Sequence, residues 1–403
     1  MRNVGERRTY ITARLSILAA VVLYGAPLSA RVPDFTFIQA TDVHTPMAQS
    51  KQVLGAAKDQ GEIDLTAYGI KAPAPSFAIA TGDLTEFGGG SGWWPQYLSY
   101  YDGWKIPVYH SLGNHDNTWH SEMRDMRKAG QKPYYSFDSH DCHFICLMSA
   151  TPQDPRPSFG EEQIVWLRDD LKKVSKQTPI FAFFHHPLGC TEYASPYDWY
   201  RLLDELRPYN LAAIFAGHYH SIRYVPVAGI DQIVGGTTFG ENAGLTFISV
   251  KDEILRVAYQ REGKTSPDEK MLEKSIAPKP DYPRIRLTVS RSKAGKSGYA
   301  INAEISTDRT IDSAAYTVDD EWTADLKPDE DRKRWTASQP VDKLLNGQHF
   351  VRVTFKSGQD EFTKSQTFEA RDYVGSTTAS SWRVYLSAAS KATATIYDGV
   401  VFV

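Results

Sequence analysis

Five short apolar runs in the first two thirds of the chain each end in polar side chains rich in Asp, Asn and His. Residues 35–40 lead into Asp42-x-His44, residues 77–80 into Gly82-Asp83, and Pro107-Val108-Tyr109 into Gly113-Asn114-His115-Asp116. Residues 180–184 lead into His185, and residues 212–215 into Gly217-His218-Tyr219-His220. Brief continuous apolar runs predict strands buried on both faces, so all five clusters fall at the C-terminal ends of strands. Between residues 34 and 260 such runs alternate with amphipathic stretches, which predicts an α/β domain. One helix is well marked: Ser158-x-x-Glu161 reads as a capping box, followed by Ile164, Leu167, Leu171 and Val174 up to Thr178-Pro179. Residues 134–138 and 142–148 read as two strands joined by a turn at 138–141. Runs at 225–227, 232–234 and 245–250 predict a second sheet packed on the first.

From residue 263 to 283 the composition shifts to Lys, Glu, Asp, Ser and Pro, with four prolines, and a linker is expected. Residues 284–370 alternate without helical period, at 285/287/289, 299/301, 350–355 and 362–368. Short strands at such intervals predict an all-β, immunoglobulin- or fibronectin-like sandwich over 284–403. In the tail, Asp398-Gly399 between apolar residues is a hairpin signal.

Residues 1–30 carry Arg2, Arg7, Arg8 and Arg14, then an apolar run from 15 to 24, then small residues ending Leu28-Ser29-Ala30. This reads as a signal peptide, since about ten apolar residues are half of the ~20 a spanning helix needs. Arg7-Arg8 also resembles a twin-arginine export signal, and both export routes stay open. The protein is therefore expected to be exported, periplasmic or extracellular, without stable membrane insertion. The leader takes the count from 45 basic and 48 acidic residues (net −3) to 41 and 47 (net −6). An acidic chain without basic runs argues against nucleic acid as the main partner. With 41% hydrophobic residues, residues 31–262 and 284–403 can each bury a core. Three cysteines make no disulfide framework. Cys142 and Cys146 sit in one strand roughly 13 Å apart, beyond bridging reach, and three buried thiols are expected.

Strand ends in α/β sheets are where ligand crevices form. An inventory of Asp, Asn and His without thiolate suits Mn, Fe, Zn, Co or Ni more than a structural zinc site. Seven or more such donors exceed the needs of one ion, so two divalent or trivalent metal ions, Mn, Fe or Zn foremost, are implied. A carboxylate can bridge two cations, while imidazoles and an amide fill coordination without neutralising them. The remaining positive charge lowers the pKa of a bridging water.

In their order, Asp42-x-His44, Gly82-Asp83, Gly113-Asn114-His115-Asp116, His185-x-Pro187 and Gly217-His218-x-His220 resemble the five motifs of the calcineurin-like metallophosphoesterase superfamily. The resemblance spans about residues 34–255 and includes Glu162-Gln163-x-x-Trp166-Leu167. Each motif alone is weak; the five together are specific. The resemblance implies a four-layer α-β-β-α sandwich and a phosphoesterase acting on a small-molecule phosphate ester. It assigns Asp42, His44 and His220 to one metal, Asn114, His185 and His218 to the other, and Asp83 to both. His186 is expected to pack or to bind backbone, because neighbours along a strand face opposite ways.

His115, outside the ligand set, is the expected general acid, with Asp116 orienting its ring or else capping the loop. Glu86 stands where purple acid phosphatases carry a tyrosine ligand, which argues against a tyrosinate-bound ferric centre. Trp93, Trp94, Trp119, His120, Tyr193 and Phe239 are candidate substrate walls; Trp93 and Trp94 could instead open the next helix and bury themselves. Few basic residues follow the motifs, Arg124 and Arg223 being nearest, so a diester fits better than a monoester dianion. The alternatives are a monoesterase, a nucleotide or pyrophosphate hydrolase of the same superfamily, and a non-catalytic protein binding a surface or carbohydrate through its β domain.

Overall fold

The structure is a computed structural model; it describes residues 31–88, 92–128, 130–154, 156–278, 282–294, 298–342, 347–358, 360–370, 395–397 and 400–402. The leader at 1–30, the centre of the glycine loop at 89–91 and the Asp398-Gly399 turn lie outside the described residues.

The first region contains β1 (Phe35–Ala40), α1 (Ala48–Ala57), β2 (Ile63–Leu65), β3 (Ile70–Ala72), β4 (Pro75–Thr81), α2 (Trp93–Ser99) and β5 (Val108–Ser111). After them come α3 (Asn114–Asn117), α4 (Met123–Lys128), β6 (Tyr135–Ser139), β7 (Cys142–Cys146), α5 (Glu161–Leu171), β8 (Pro179–Phe183), α6 (Pro196–Leu206) and β9 (Asn210–Ala216). It closes with β10 (Ile222–Tyr224), β11 (Gln232–Gly235), β12 (Gly244–Lys251), β13 (Ile254–Arg261) and β14 (Glu269–Ser275).

Two six-stranded sheets result, ordered β14-β13-β12-β1-β4-β5 and β10-β11-β9-β8-β7-β6. Their facing sides share a phenylalanine-rich core that includes Phe35, Phe37, Phe77, Phe144, Phe181, Phe183 and Phe215. Alternation along each strand explains the layering. Phe37 faces this core while Ile38 and Ala40 turn to the layer of α1 and α2, and Phe181 faces it while Ile180 and Ala182 turn to α5 and α6. Strands buried on both faces read as near-continuous apolar runs; β8 and β9 do, while β1 also buries Thr36 and Gln39. The expected α-β-β-α order is present, but the runs at 232–234 and 245–250 do not share a second sheet: β11 pairs with β9 in one sheet and β12 with β1 in the other.

The stretch read as a linker, 263–283, is corrected in part: Glu269–Ser275 is a strand, pairing antiparallel with β13 at the edge of the first sheet. Its exposed, charged sequence hides the apolar signal because an edge strand needs none. The capping box at Ser158 is also corrected, since α5 begins at Glu161 with Gly160 as N-cap. The run at 225–227 is no strand; β10 lies just before it. The turn between β6 and β7 places His140 and Asp141 at φ 51° and 56°, the twist a two-residue hairpin demands.

The C-terminal region holds β15 (Ile285–Ala294), β16 (Gly298–Thr307), β17 (Ser313–Val318), β18 (Trp322–Asp325), β19 (Lys327–Pro328), β20 (Arg334–Asp342), β21 (Gly347–Ser357) and β22 (Asp360–Ala370). They form two four-stranded sheets, β15-β16-β20-β19 and β18-β17-β21-β22, around a core that includes Ile301, Ile305, Tyr316, Val351, Val353 and Phe355. A last hairpin pairs β23 (Thr395–Tyr397) with β24 (Val400–Phe402). Phe350 points away from the sandwich core into the cluster around Trp199 and Tyr200 of α6, and the Ser365 amide donates to Asp204 at 2.9 Å. The three cysteines are free and buried. Among the described residues, no helix is long and apolar enough to cross a membrane.

Candidate metal centre

β1 and β4 run parallel, as do β8 and β9, so their C-terminal loops leave side by side and the two sheets deliver them to one place. Five donor residues hold left-handed backbone there: Asp42, His44, Asp83, His218 and His220, with φ of 52°, 46°, 48°, 75° and 47°. Such conformations cost of order 1 kcal/mol each and persist where the surroundings impose them. Glycines permit the close approach. A Cβ on Gly113 would lie 2.1 Å from Asp83 Oδ1, and one on Gly217 would lie 1.9 Å from Thr41 Oγ1.

Two donor groups meet at Asp83. Asp42, His44, Asp83 and His220 form one, with His220 Nε2 3.2 Å from Asp42 Oδ1 and His44 Nε2 3.6 Å from Asp83 Oδ2. His185, His186 and His218 form the second, and His185 Nε2 lies 3.1 Å from the same Asp83 Oδ2. One carboxylate oxygen therefore faces both groups, while its partner Oδ1 accepts the His115 amide at 2.9 Å.

Among the described residues, two buried atoms here have no hydrogen-bond partner, Asn114 Oδ1 and His186 Nε2. Buried polar atoms left unpaired are costly unless something coordinates them. His218 Nε2 contacts Glu192 at 2.7 Å, which leaves Nδ1 as its donor atom. His44 Nδ1 meets Glu86 at 2.6 Å, so Nε2 faces inward, an outer carboxylate fixing a ligand ring. These donors fit two metal ions, one beside Asp42, His44 and His220 and the other beside His185 and His218, with Asp83 between; the buried, unpaired Asn114 Oδ1 is a further available donor.

His186 departs from expectation. Its Nδ1 and backbone amide both reach Ser149 Oγ, at 2.9 and 3.0 Å, its Nε2 is buried without a partner, and the residue lies in the same donor group as His185 and His218. Strand alternation does not apply, because β8 ends at Phe183.

The expectation that Asp116 orients His115 is corrected. The Asp116 carboxylate is buried and accepts from the amides of Leu84, Thr85 and Gly113 and from Thr85 Oγ1, at 2.8 to 3.1 Å. It ties the loop after β4 to the loop after β5. His115 is held by Glu86 instead, its Nδ1 lying 2.9 Å from the carbonyl oxygen and 3.9 Å from Oε1.

Charge is arranged accordingly. Burial alone would raise the Asp83 pKa, but His185, His44 and His115 hold it well below the usual carboxylate range. Burial would lower that of His185, yet Asp83 and Asp42 carry it up to about 9. Burial pushes Asp116 up to about 7, helped by the Asp83 charge and opposed by its backbone donors.

Among the expected walls, Trp94 is buried in α2 against Tyr97 and His110, and Tyr193 is buried, donating to the His186 carbonyl. Phe239 packs against the rings of His44 and His220, with centroids 5.1 and 5.2 Å away. Arg223 stacks over Tyr219. Glu192 and Ser149 were invisible in the sequence, since neither sits in a motif or period.

Residues 35–222 match the family described as calcineurin-like phosphoesterase. A probable cyclic nucleotide phosphodiesterase of Rhodococcus erythropolis is 28% identical over 137 residues, 32% of this chain and 46% of that protein. A probable purple acid phosphatase 20 of Arabidopsis thaliana is 32% identical over 87 residues, 21% of this chain and 19% of that one. The chain thus spans less than half the length of these curated relatives. A purple acid phosphatase from yellow lupin (Lupinus luteus) seeds is 15% identical with a TM-score of 0.44, over 60% of this chain and 54% of that chain.

Proposed function

With residues 35–222 matching the calcineurin-like phosphoesterase family, we propose that the chain is a phosphoric ester hydrolase acting at the centre around Asp83. The observation that carries this is the single Asp83 oxygen facing two separate donor groups. Metal ions held there, of the Mn, Fe or Zn kind, would polarise the phosphoryl oxygens and acidify water. The chain's own residues supply the rest. A carbonyl oxygen only accepts, so His115 Nδ1 carries a hydrogen toward Glu86 O, and Nε2 is the atom free to give a proton to the departing oxygen. Asp116 and Gly113 hold that loop so that the His115 amide stays on Asp83.

A diester is the favoured substrate. Arg223, a basic residue near the motifs, is engaged with Tyr219 and Ser221, and Glu86 adds negative charge beside His44 and His115. The leader pattern of residues 1–30 supports export to the periplasm or beyond. The strand orders β15-β16-β20-β19 and β18-β17-β21-β22 support an immunoglobulin- or fibronectin-like sandwich, a class suited to surface or carbohydrate contact. The test is elemental analysis with kcat/KM for p-nitrophenyl phosphate and bis-p-nitrophenyl phosphate across pH. Two metals per chain and a diester preference are expected; monoester preference at every pH would overturn the diester reading.

A further inference from the structure

Exposed large hydrophobic side chains are few among the described residues, and two of them, Phe87 and Trp119, at 50% and 49% exposure, lie together beside His115. Their rings are 5.3 Å apart, and Trp119 is 5.5 Å from the His115 ring, which is 4.5 Å from His44. A row of rings thus runs outward from the metal ligands through the proton donor to solvent. Two loops cross to build it. Gly88 and His120, the chain neighbours of Phe87 and Trp119, form a parallel bridge. Gly88 has φ +67°, and a Cβ there would meet His120 O at 2.1 Å and Asp116 O at 2.6 Å. The backbone contact that only glycine permits at this spot holds the two aromatic residues side by side. Isolated apolar residues on a surface need no explanation, but a fixed aromatic pair adjoining a proton donor does.

We infer that Phe87 and Trp119 form a platform for the departing alcohol, and that the substrates are phosphate diesters whose leaving alcohol carries an aromatic ring. This rests on the phosphoesterase reading above. During hydrolysis the oxygen of water bonds to phosphorus and gives up one proton to solvent, the ester P–O bond breaks, and the alcohol oxygen takes the Nε2 proton of protonated His115, which solvent then restores. Whatever that oxygen carries must therefore extend past His115, and Trp119 and Phe87 are the surfaces beyond it. Planar rings meet an edge-to-face aromatic pair with favourable quadrupole contacts, which an alkyl arm lacks.

The mixed diester ethyl 2-phenylethyl phosphate tests this by internal competition, because its two alcohols are similarly poor leaving groups. The wild-type protein with its metals should release 2-phenylethanol over ethanol by about tenfold. The ratio should fall toward one in Trp119→Ala and in Phe87→Ala and should survive in Trp119→Phe. Preferential ethanol release, or a ratio unchanged in both alanine variants, would overturn the platform. If neither alcohol is released, the hydrolase reading fails and calorimetry decides the platform separately. Binding of 2-phenylethyl phosphate should be about tenfold tighter than that of ethyl phosphate, and the gap should close in the double alanine variant. Equal affinities in the wild type would overturn it.

Discussion

At the scale of single residues, identity and contact carry different information. Asp42, His44, Asp83, His185, His218 and His220 gather at the centre, because the chemistry of Asp and His at strand ends is written in residue type. Their division of labour is not. Asp116 and Glu86 are both carboxylates close to His115 in space, one its chain neighbour and the other 29 positions away, and only the fold decides that Asp116 is consumed by three backbone amides while Glu86 reaches the imidazoles. Two variants separate these roles. His115→Ala should lower turnover of alkyl esters by ~10²- to 10⁴-fold, and p-nitrophenyl esters by less, as loss of a general acid does. Asp116→Ala should instead lower Tm and metal content and depress all substrates alike, since it strands buried amides. A leaving-group dependence in Asp116→Ala matching that of His115→Ala would reinstate Asp116 as the orienter. Asp83→Ala, by contrast, should empty both donor groups. Elemental analysis finding two metals per chain in that variant would refute the shared oxygen.

At the scale of elements, the buried ones were legible and the exposed ones were not. β1, β8 and β9 announce themselves because both faces are covered, whereas β14 and β18 to β20 carry charges and small polar residues that a propensity reading assigns to loops. α6 was legible and missed: Ser195 caps it, Pro196 opens its first turn, and Asp198, Arg201, Asp204 and Glu205 recur at helical spacing among the buried Trp, Tyr and Leu residues. One contact between elements has a pH signature. His143 on β7 lies 2.6 Å from Asp138 on β6 and 3.0 Å from Asp170 on α5. Burial would depress the His143 pKa, but Asp170 and Asp138 raise it above the ordinary value of 6.5. Burial would raise Asp170, but His143, Ser136 and Lys173 bring it below its ordinary 3.8. The contribution of His143 is full below the unfolded pKa and is lost as pH rises through its folded value. That of Asp170 is present above its unfolded pKa and fades as pH falls through its folded one. The Tm difference between wild type and His143→Gln should therefore be largest between about pH 4 and 6.5 and shrink toward alkaline pH. A difference that grows with pH would show that His143 is buried neutral.

At the scale of the whole molecule, two separately cored regions behave as one compact unit over Val32–Val403. The sequence could mark each region but not their contact, because docking residues look like ordinary core or surface positions within their own strands. Phe350 and Val351 illustrate this: adjacent on β21, they face α6 and the sandwich core respectively, as strand alternation requires. Around Phe350, Arg352 stacks 4.7 Å over Tyr200. Asp204, pushed up to about 6 by burial, accepts the Ser365 amide and lies 3.7 Å from Lys364. An apolar anchor at 5% exposure ringed by charged contacts should dominate the docking energy, since desolvated charge pairs roughly break even. Phe350→Ala should then cost about 3–5 kcal/mol and uncouple the halves, giving two calorimetric transitions where the wild type gives one. The sandwich core of Val351, Val353 and Phe355 is untouched by the change, so its transition should persist. A single transition at the wild-type Tm would mean that the polar contacts of Asp204 and Arg352 hold the regions together instead.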